Sequence, residues 1–83
     1  MILCLDVGNT QLYGGLFKDN SVVFRFRRVM NEGVSSDEIG IFLRSVIREN
    51  GYDPSLVSHV AYCSVVPDLN HSLENSCRRY FNL

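Results

Sequence analysis

The sequence lacks an excess of charge of either sign. Eight basic and nine acidic side chains give its 83 residues a formal net charge of −1 at pH 7. A general nucleic-acid-binding protein needs a basic surface to neutralise phosphates, so this balance argues against nucleic acid as a partner. The basic residues that do cluster, Arg25, Arg27 and Arg28, are explained by a solvated strand face. The alternative for these three residues is contact with another subunit or with the rest of a larger protein.

Paired cysteines are missing as well. The three cysteines, Cys4, Cys63 and Cys77, contain no C-x-x-C spacing. An odd count without paired spacing argues against a disulfide scaffold and favours a reducing compartment. We expect all three to be small, buried apolar residues.

Long apolar runs are also absent. No run in the sequence approaches the roughly 20 residues of a membrane-spanning helix. The opening segment MILCLD is too short and too acidic for a signal peptide, so we expect a cytoplasmic protein without a membrane partner. Repeats, linkers and low-complexity tracts are missing too, which predicts one domain over residues 1–83.

The apolar segments that are present predict the order β-β-β-α-β-α. The first strand, over residues 2–5, is a continuous apolar run, which is typical of a strand buried on both faces. Two further strands, over residues 11–17 and 21–27, complete an antiparallel meander with one face buried. Alternation in the third strand predicts two faces, one with Val22, Phe24 and Phe26 and the other with Val23, Arg25 and Arg27.

The second half of the sequence predicts two helices around a fourth strand. After a loop over residues 30–36, Ser35 and Glu38 have the spacing of a capping box, and Asp37 favours the positive end of a helix. Capping explains these carboxylates better than catalysis. A fourth strand, over residues 57–64, can lie parallel to the first strand because a helix precedes it. The second helix has an apolar stripe formed by Leu69, Leu73, Cys77 and either Tyr80 or Phe81.

The segment LCLDVGNTQLYGGLF places polar residues between two apolar strands. Asp6 lies at the carboxyl end of a strand, where ligands gather in sheets with parallel strands, and a carboxylate there suits hydrated Mg²⁺. Gly8 lets the backbone turn close to a phosphate, and Asn9 and Thr10 add hydrogen-bond donors. A hairpin turn without a ligand explains the same residues. The residues alone therefore leave both interpretations open.

The same segment is similar to the first phosphate-binding motif of the superfamily of acetate kinases, sugar kinases, heat-shock proteins and actin. Its Asp-x-Gly-Asn-Thr form resembles type III pantothenate kinases. Three later segments resemble motifs of that family in the same order: SSDEIGIFL (35–43), CSVVPDL (63–69) and RRYF (78–81). The resemblance implies a ribonuclease H-like α/β fold with a mixed sheet, in which the fourth strand is parallel to the first and the closing strand is lacking.

The resemblance also implies an activity, the ATP-dependent phosphorylation of pantothenate to 4′-phosphopantothenate in coenzyme A biosynthesis. It implies Mg²⁺, a monovalent cation (K⁺ or NH₄⁺) and a homodimer. By position, the ATP phosphate loop consists of Asp6, Val7, Gly8, Asn9, Thr10, Gln11, Leu12 and Tyr13. Asp6 is implied to organise Mg²⁺. The family frequently has lysine at position 13, whereas Tyr13 carries no fixed positive charge.

The family's catalytic base lies in a Gly-x-Asp-Arg motif, which does not occur in these 83 residues. We therefore expect no catalytic residue here, and an N-terminal half-kinase domain over residues 1–83 that is inactive alone, because phosphoryl transfer requires both substrates to be aligned. One alternative is a non-catalytic nucleotide-sensing or transcription-accessory module of the same family. Another is a different kinase or sugar-phosphate-binding protein of the superfamily.

Three further polar residues have structural explanations. His59 and His71 lack a second ligand at metal-binding spacing, so we expect surface or packing roles for both. Ser64 has no base nearby in the sequence. We expect it to act in the turn after the fourth strand, near the nucleotide.

Overall fold

The structure is a computed structural model that describes residues 1–31 and 33–83. Its elements are β1 (Ile2–Val7), β2 (Gln11–Lys18), β3 (Ser21–Val29), α1 (Ser36–Glu49), a 3₁₀ turn (Pro54–Leu56), β4 (His59–Ser64) and α2 (Pro67–Phe81). Glu32, which belongs to the predicted loop over residues 30–36, lies outside the described residues. Neither helix has the length and apolar character needed to cross a membrane.

The strands form one mixed sheet in the order β3-β2-β1-β4. β1 pairs antiparallel with β2 and parallel with β4, while β2 pairs antiparallel with β3. This arrangement confirms the predicted ribonuclease H-like α/β fold, with its three-stranded meander and its fourth strand parallel to the first. Within the described residues β4 pairs with β1 alone, so its other edge has no strand beside it.

One face of the sheet carries both helices, and no other described element packs on the opposite face, which we call the open face. The side chains of Leu3, Leu5 and Val7 on β1 are at most 4% exposed and lie in one core with residues of α1 and α2. On the open face Ile2 is 43% exposed, and Asp6 is exposed too. The prediction that β1 is buried on both faces is wrong, because α1 and α2 pack against the same side of it.

A β-bulge in β3 changes the predicted faces of two valines. The register shifts between Leu16 and Phe17, so that Phe17 lies opposite Val22 and Val23 becomes the extra residue. Val22 therefore lies on the open face beside Arg25, and Val23 packs against the core. Strict alternation had predicted the reverse, because a period of two residues contains no information about an inserted residue.

The two helices are joined by side chains near their solvent edge. The hydroxyl of Tyr80 on α2 donates a hydrogen bond to Asp37 Oδ1 on α1 (2.6 Å), and Arg44 donates to the Tyr80 carbonyl (2.8 Å). Arg79 pairs with Asp37 at 3.0 Å. The predicted stripe of α2 is largely correct: Leu69, Leu73 and Phe81 are buried, and Cys77 and Tyr80 are half-buried.

The cysteines are less buried than predicted. Cys63 is exposed, and Cys4 and Cys77 are half-buried, all three with free thiols. For Cys4 and Cys63 the prediction of full burial is wrong because both lie on the open face, on β1 and on the edge strand β4. Cys77 on α2 is also only partly buried.

Ser35 caps α1 as predicted. Its hydroxyl oxygen accepts from Glu38 N (3.1 Å), and its own N–H donates to Glu38 Oε1 (3.2 Å), which completes the capping box. Ser35→Ala is expected to lower the free energy of unfolding by about 1 kcal/mol in urea denaturation. Ser45→Ala in the middle of the same helix is the control, and it should be neutral or slightly stabilising. Equal stability of Ser35→Ala and the wild type would show that the cap contributes nothing.

Candidate functional site

The turn between β1 and β2 lies at the carboxyl end of β1. The N–H of Gly8 donates to the Gln11 carbonyl at 2.8 Å and closes the turn. The N–H of Met30 donates to the Thr10 carbonyl at 3.0 Å, which ties the turn to the end of β3. The backbone of residues 8–10 is thus held in place by both β2 and β3.

The predicted phosphate loop divides into exposed and buried side chains. Asn9, Thr10 and Gln11 are exposed, so an amide, a hydroxyl and a second amide are accessible to a ligand. Val7 and Leu12 are each only 1% exposed and belong to the core. These two residues can contribute only their backbone to a site, and their side chains anchor the turn to the fold.

Four side chains form a row across the open face. The register pairs Asp6 on β1 with Cys63 on β4 and with Tyr13 on β2, and it pairs Tyr13 with Arg27 on β3. Residues that pair directly across strands project from the same face of a sheet. We call Cys63, Asp6, Tyr13 and Arg27 the cross-strand row.

Cys63 contacts Asp6 within the cross-strand row. Its Sγ donates a hydrogen bond to Asp6 Oδ1 at 3.4 Å. This bond, together with the negative charge of Asp6, raises the pKa of the Cys63 thiol, so the thiol remains protonated and able to donate at neutral pH. The sequence offers no signal for this contact, since the two residues are 57 positions apart.

At the other end of the row, Arg27 contacts Tyr13. The Arg27 Cζ atom lies 4.7 Å from the centroid of the Tyr13 ring, within the range of a cation–π interaction. Sequence reasoning grouped Arg27 with Arg25 and Arg28 on one solvated strand face. Arg28 is instead half-buried on the helix side, with Cζ 4.9 Å from the Phe42 ring. The signal that separates these arginines is the register between β2 and β3, which the sequence alone does not reveal.

The end of β1 is accessible from two sides. On the open face a groove of about 270 Å³ is lined by Asp6, Tyr13, Gly15 and Arg25, among others. On the helix side a larger cleft of about 520 Å³ lies between the turn, the β3–α1 loop and the first turns of α2. Its lining includes Asn9, Asn31, Val34, Asp68 and Ser72. The groove reaches Asp6 on the open face, and the cleft reaches Asn9 of the turn on the helix side.

Asp6 is the carboxylate that a Mg²⁺ ion would use at this end of the sheet. The described residues contain no group of three or more His, Cys, Asp or Glu side chains that could hold a metal by themselves. Mg²⁺ commonly binds through one or two carboxylates, several waters and the phosphates of a substrate. The donor set therefore fits Mg²⁺ that arrives with a nucleotide, and it does not fit a separate structural metal centre.

The other polar residues singled out from the sequence lie outside the row. His59 and His71 are exposed, and their ring nitrogens form hydrogen bonds with Ser58 Oγ (2.9 Å) and Asn75 Nδ2 (3.1 Å), respectively. Ser64 Oγ accepts from the N–H of Val66 at 3.1 Å, in the turn between β4 and α2. Of the surface or packing roles predicted for the histidines, the structure shows the surface position. Ser64 lies in the turn after β4 as predicted, and its position near a nucleotide stays a prediction.

Comparison with known proteins adds a second, independent line of argument. Residues 2–83 match the family model for type III pantothenate kinase. The chain belongs to the type III pantothenate kinase family. It is 48% identical over 83 residues to the type III pantothenate kinase of Elusimicrobium minutum (strain Pei191), a match that covers 100% of this chain and 32% of that relative.

Two further type III pantothenate kinases show the same pattern. That of Legionella pneumophila (strain Corby) is 47% identical over 83 residues, which is 100% of this chain and 32% of the relative. Type III pantothenate kinase 1 of Francisella tularensis subsp. tularensis (strain FSC 198) is 37% identical over 84 residues, covering 100% of this chain and 33% of the relative. The chain thus spans about a third of the length of the curated relatives it matches.

Proposed function

We propose that this chain supplies the ATP phosphate-binding half of a type III pantothenate kinase, which transfers the γ-phosphoryl group of ATP to pantothenate and yields 4′-phosphopantothenate. The observation that carries the proposal is the position of Asp6 and residues 8–10. They lie together at the carboxyl end of β1, between antiparallel β2 and parallel β4, in a chain of this family. Ligand sites in α/β sheets commonly form at such strand ends.

Each part of the turn has a task in this proposal. The exposed side chains of Asn9, Thr10 and Gln11 donate hydrogen bonds to phosphate oxygens. Gly8 keeps the backbone free of a side chain where the phosphates approach. Asp6 holds Mg²⁺, which offsets the negative charge of the β- and γ-phosphates when it is bound. Positioning and charge compensation are the main contributions of a protein to phosphoryl transfer.

The remaining parts of the site are proposed to lie in the portion of the family's length that this chain does not match. A base for the pantothenate hydroxyl is assigned there because the sequence contains no Gly-x-Asp-Arg motif. The contacts to pantothenate and the K⁺ or NH₄⁺ site are assigned there by resemblance to the family. We further propose a cytoplasmic homodimer for the intact enzyme. The 83 residues form one half of the site, and half a site cannot align the two substrates.

A fusion tests the proposal. In it, the residues of the Elusimicrobium minutum kinase beyond its matched third follow Leu83 of this chain. The fusion is expected to form 4′-phosphopantothenate from ATP and pantothenate in the presence of Mg²⁺ and K⁺ or NH₄⁺, as detected by mass spectrometry. The 83-residue chain alone is expected to form none.

Two controls make the result decisive. The parent Elusimicrobium minutum kinase is assayed in parallel, and circular dichroism checks that the fusion is folded. A folded fusion that lacks activity beside an active parent would contradict the proposal. Turnover by the 83-residue chain alone would contradict the assignment of the base to another part of the family's length. ATP binding without any turnover would favour the nucleotide-sensing alternative.

A further inference from the structure

The predicted phosphate loop lacks positive charge. Its eight residues, 6–13, include one acidic side chain, Asp6, and no basic one. A nucleoside triphosphate brings several negative charges, and a kinase site must compensate them with cations, backbone dipoles or basic side chains. One Mg²⁺ ion on Asp6 balances only part of this charge. A basic side chain from another element, close to the loop, would compensate more of this charge.

The strand register identifies one arginine as the candidate for this basic side chain. Arg28 lies on the helix side of the sheet, with its guanidinium over Phe42. Arg25 lies on the open face but pairs with Gly15, two residues farther from the turn, which corresponds to about 7 Å along the strand. Arg27 is the basic member of the cross-strand row and is exposed.

The Tyr13 ring gives the Arg27 guanidinium a defined place. With Cζ 4.7 Å from the ring centroid, the guanidinium lies over a residue of β2 that pairs directly with Asp6 on β1. The contact thus directs the positive charge of Arg27, a residue of β3, towards the carboxyl end of β1. A guanidinium that stacks on a ring keeps its N–H donors in its own plane, where they can form a fork with phosphate oxygens.

We propose that Arg27 is a phosphate-binding residue for a nucleoside triphosphate and that Tyr13 positions its guanidinium. The inference rests on the ATP-binding part of the proposed function and does not depend on pantothenate as acceptor. It assigns Tyr13 a role through its ring face, since a phenol hydroxyl supplies no positive charge to a phosphate. The pair Tyr13–Arg27 acts as a unit that supplies the cation missing from the loop.

The test measures binding of a non-hydrolysable ATP analogue with Mg²⁺ by calorimetry, in the longest natural chain that contains this segment. Arg27→Gln is expected to weaken binding by about 10- to 100-fold, the range expected when hydrogen bonds between charged groups are lost. Arg25→Gln, on the same strand and face, is the matched control and should weaken binding clearly less than Arg27→Gln, because Arg25 pairs with Gly15, farther from the turn. The loss of affinity in Arg27→Gln should be smaller at high salt, because dissolved ions screen interactions between exposed charges.

Two variants of Tyr13 test whether its ring positions the Arg27 guanidinium, separately from the charge of Arg27 itself. Tyr13→Phe keeps the ring and is expected to bind as the wild type does, whereas Tyr13→Ala should weaken binding by about three- to tenfold, since a cation–π contact is worth roughly 0.5–1 kcal/mol at exposed sites and more when desolvated. Thermal unfolding verifies that each variant is folded. Wild-type affinity in Tyr13→Ala would overturn the positioning role of Tyr13.

The outcomes also separate this inference from the proposed function. Equal affinity of Arg27→Gln and the wild type, in a protein that phosphorylates pantothenate, overturns the inference alone. Equal losses of affinity in Arg27→Gln and Arg25→Gln overturn the inference as well, because they indicate that binding depends on the total positive charge of this face and not on Arg27 in particular. Binding that depends on Arg27 in a protein without pantothenate turnover supports the inference and overturns only the proposed acceptor.

Discussion

Replacing Asp6 by asparagine is expected to lower pantothenate phosphorylation in the active fusion by about 10²- to 10³-fold in kcat/KM, since a metal ion contributes several kcal/mol of charge stabilisation. Asparagine preserves the shape of the side chain and can still accept the hydrogen bond from Cys63 Sγ. What it removes is the anionic oxygen at the carboxyl end of β1. The expected loss therefore reports on Mg²⁺ binding and charge compensation, with little change in the fold.

Asp19→Asn is the matched control for Asp6→Asn. Asp19 is an exposed carboxylate in the β2–β3 turn, where its backbone has φ of 52°, a conformation that asparagine also tolerates. The control should retain wild-type activity and the wild-type Mg²⁺ requirement. If Asp6→Asn also retains both, the carboxylate does not hold the metal, and the role proposed for Asp6 is wrong.

The order of elements was predictable because its signals are local. The polar turn after Val7, the capping box at Ser35 and the Asn-Gly pair after α1 each mark a boundary within a few residues. A glycine within a strand, such as Gly14 in β2, is compatible with a close approach of another group, and a Cβ at this position would overlap the Phe26 ring. Such signals suffice to place strands and helices in order.

The faces and the register were not predictable in the same way. Burial of β1 depends on the side of the sheet against which α1 and α2 pack. An apolar run such as residues 2–5 is compatible with a strand covered on one face and with a strand covered on both faces. The bulge at Val23 inserts one residue into β3 and reverses the faces of the residues at that end of the strand. Both features arise from tertiary packing.

The candidate site was predictable only in part for the same reason. The turn and Asp6 could be placed from one continuous segment. The cross-strand row required the register of four strands, and it joins residues as distant in sequence as Asp6 and Cys63. Tyr13 and Arg27 were both singled out in the sequence, Tyr13 in the predicted loop and Arg27 among three arginines, but nothing there indicates that their side chains meet. Their contact gives them a combined role that neither residue indicates alone.

Gly40→Val is expected to have the largest effect on stability. A Cβ at position 40 would overlap the Cδ2, Cγ and Cε2 atoms of the Tyr80 ring, because α2 crosses α1 at this glycine. The ring would have to leave its place, and with it the hydrogen bond from its hydroxyl to Asp37. Overpacking of this kind costs about 1–3 kcal/mol before the lost hydrogen bond is counted.

The consequence for thermal unfolding follows from the size of the chain. For a domain of this size, 1 kcal/mol corresponds to roughly 4–8 °C, so the midpoint of the 83-residue chain should fall by about 10 °C or more. Gly40→Ala should lose less stability than Gly40→Val, since alanine is about 1 kcal/mol more favourable than glycine in a helix. Gly15→Ala is the control, because its nearest atoms would lie 3.6 Å from the new Cβ, an ordinary contact distance.

A second substitution tests whether overlap with the Tyr80 ring causes the loss of stability in Gly40→Val. In a Tyr80→Ala background the ring is absent, so adding Gly40→Val should destabilise the chain much less than it does in the wild type. This non-additivity is what a double-mutant cycle detects for two residues in contact. If Gly40→Val costs the same in both backgrounds, the contact between α1 and α2 at Gly40 does not determine stability, and the close helix crossing would have to be supported by other residues.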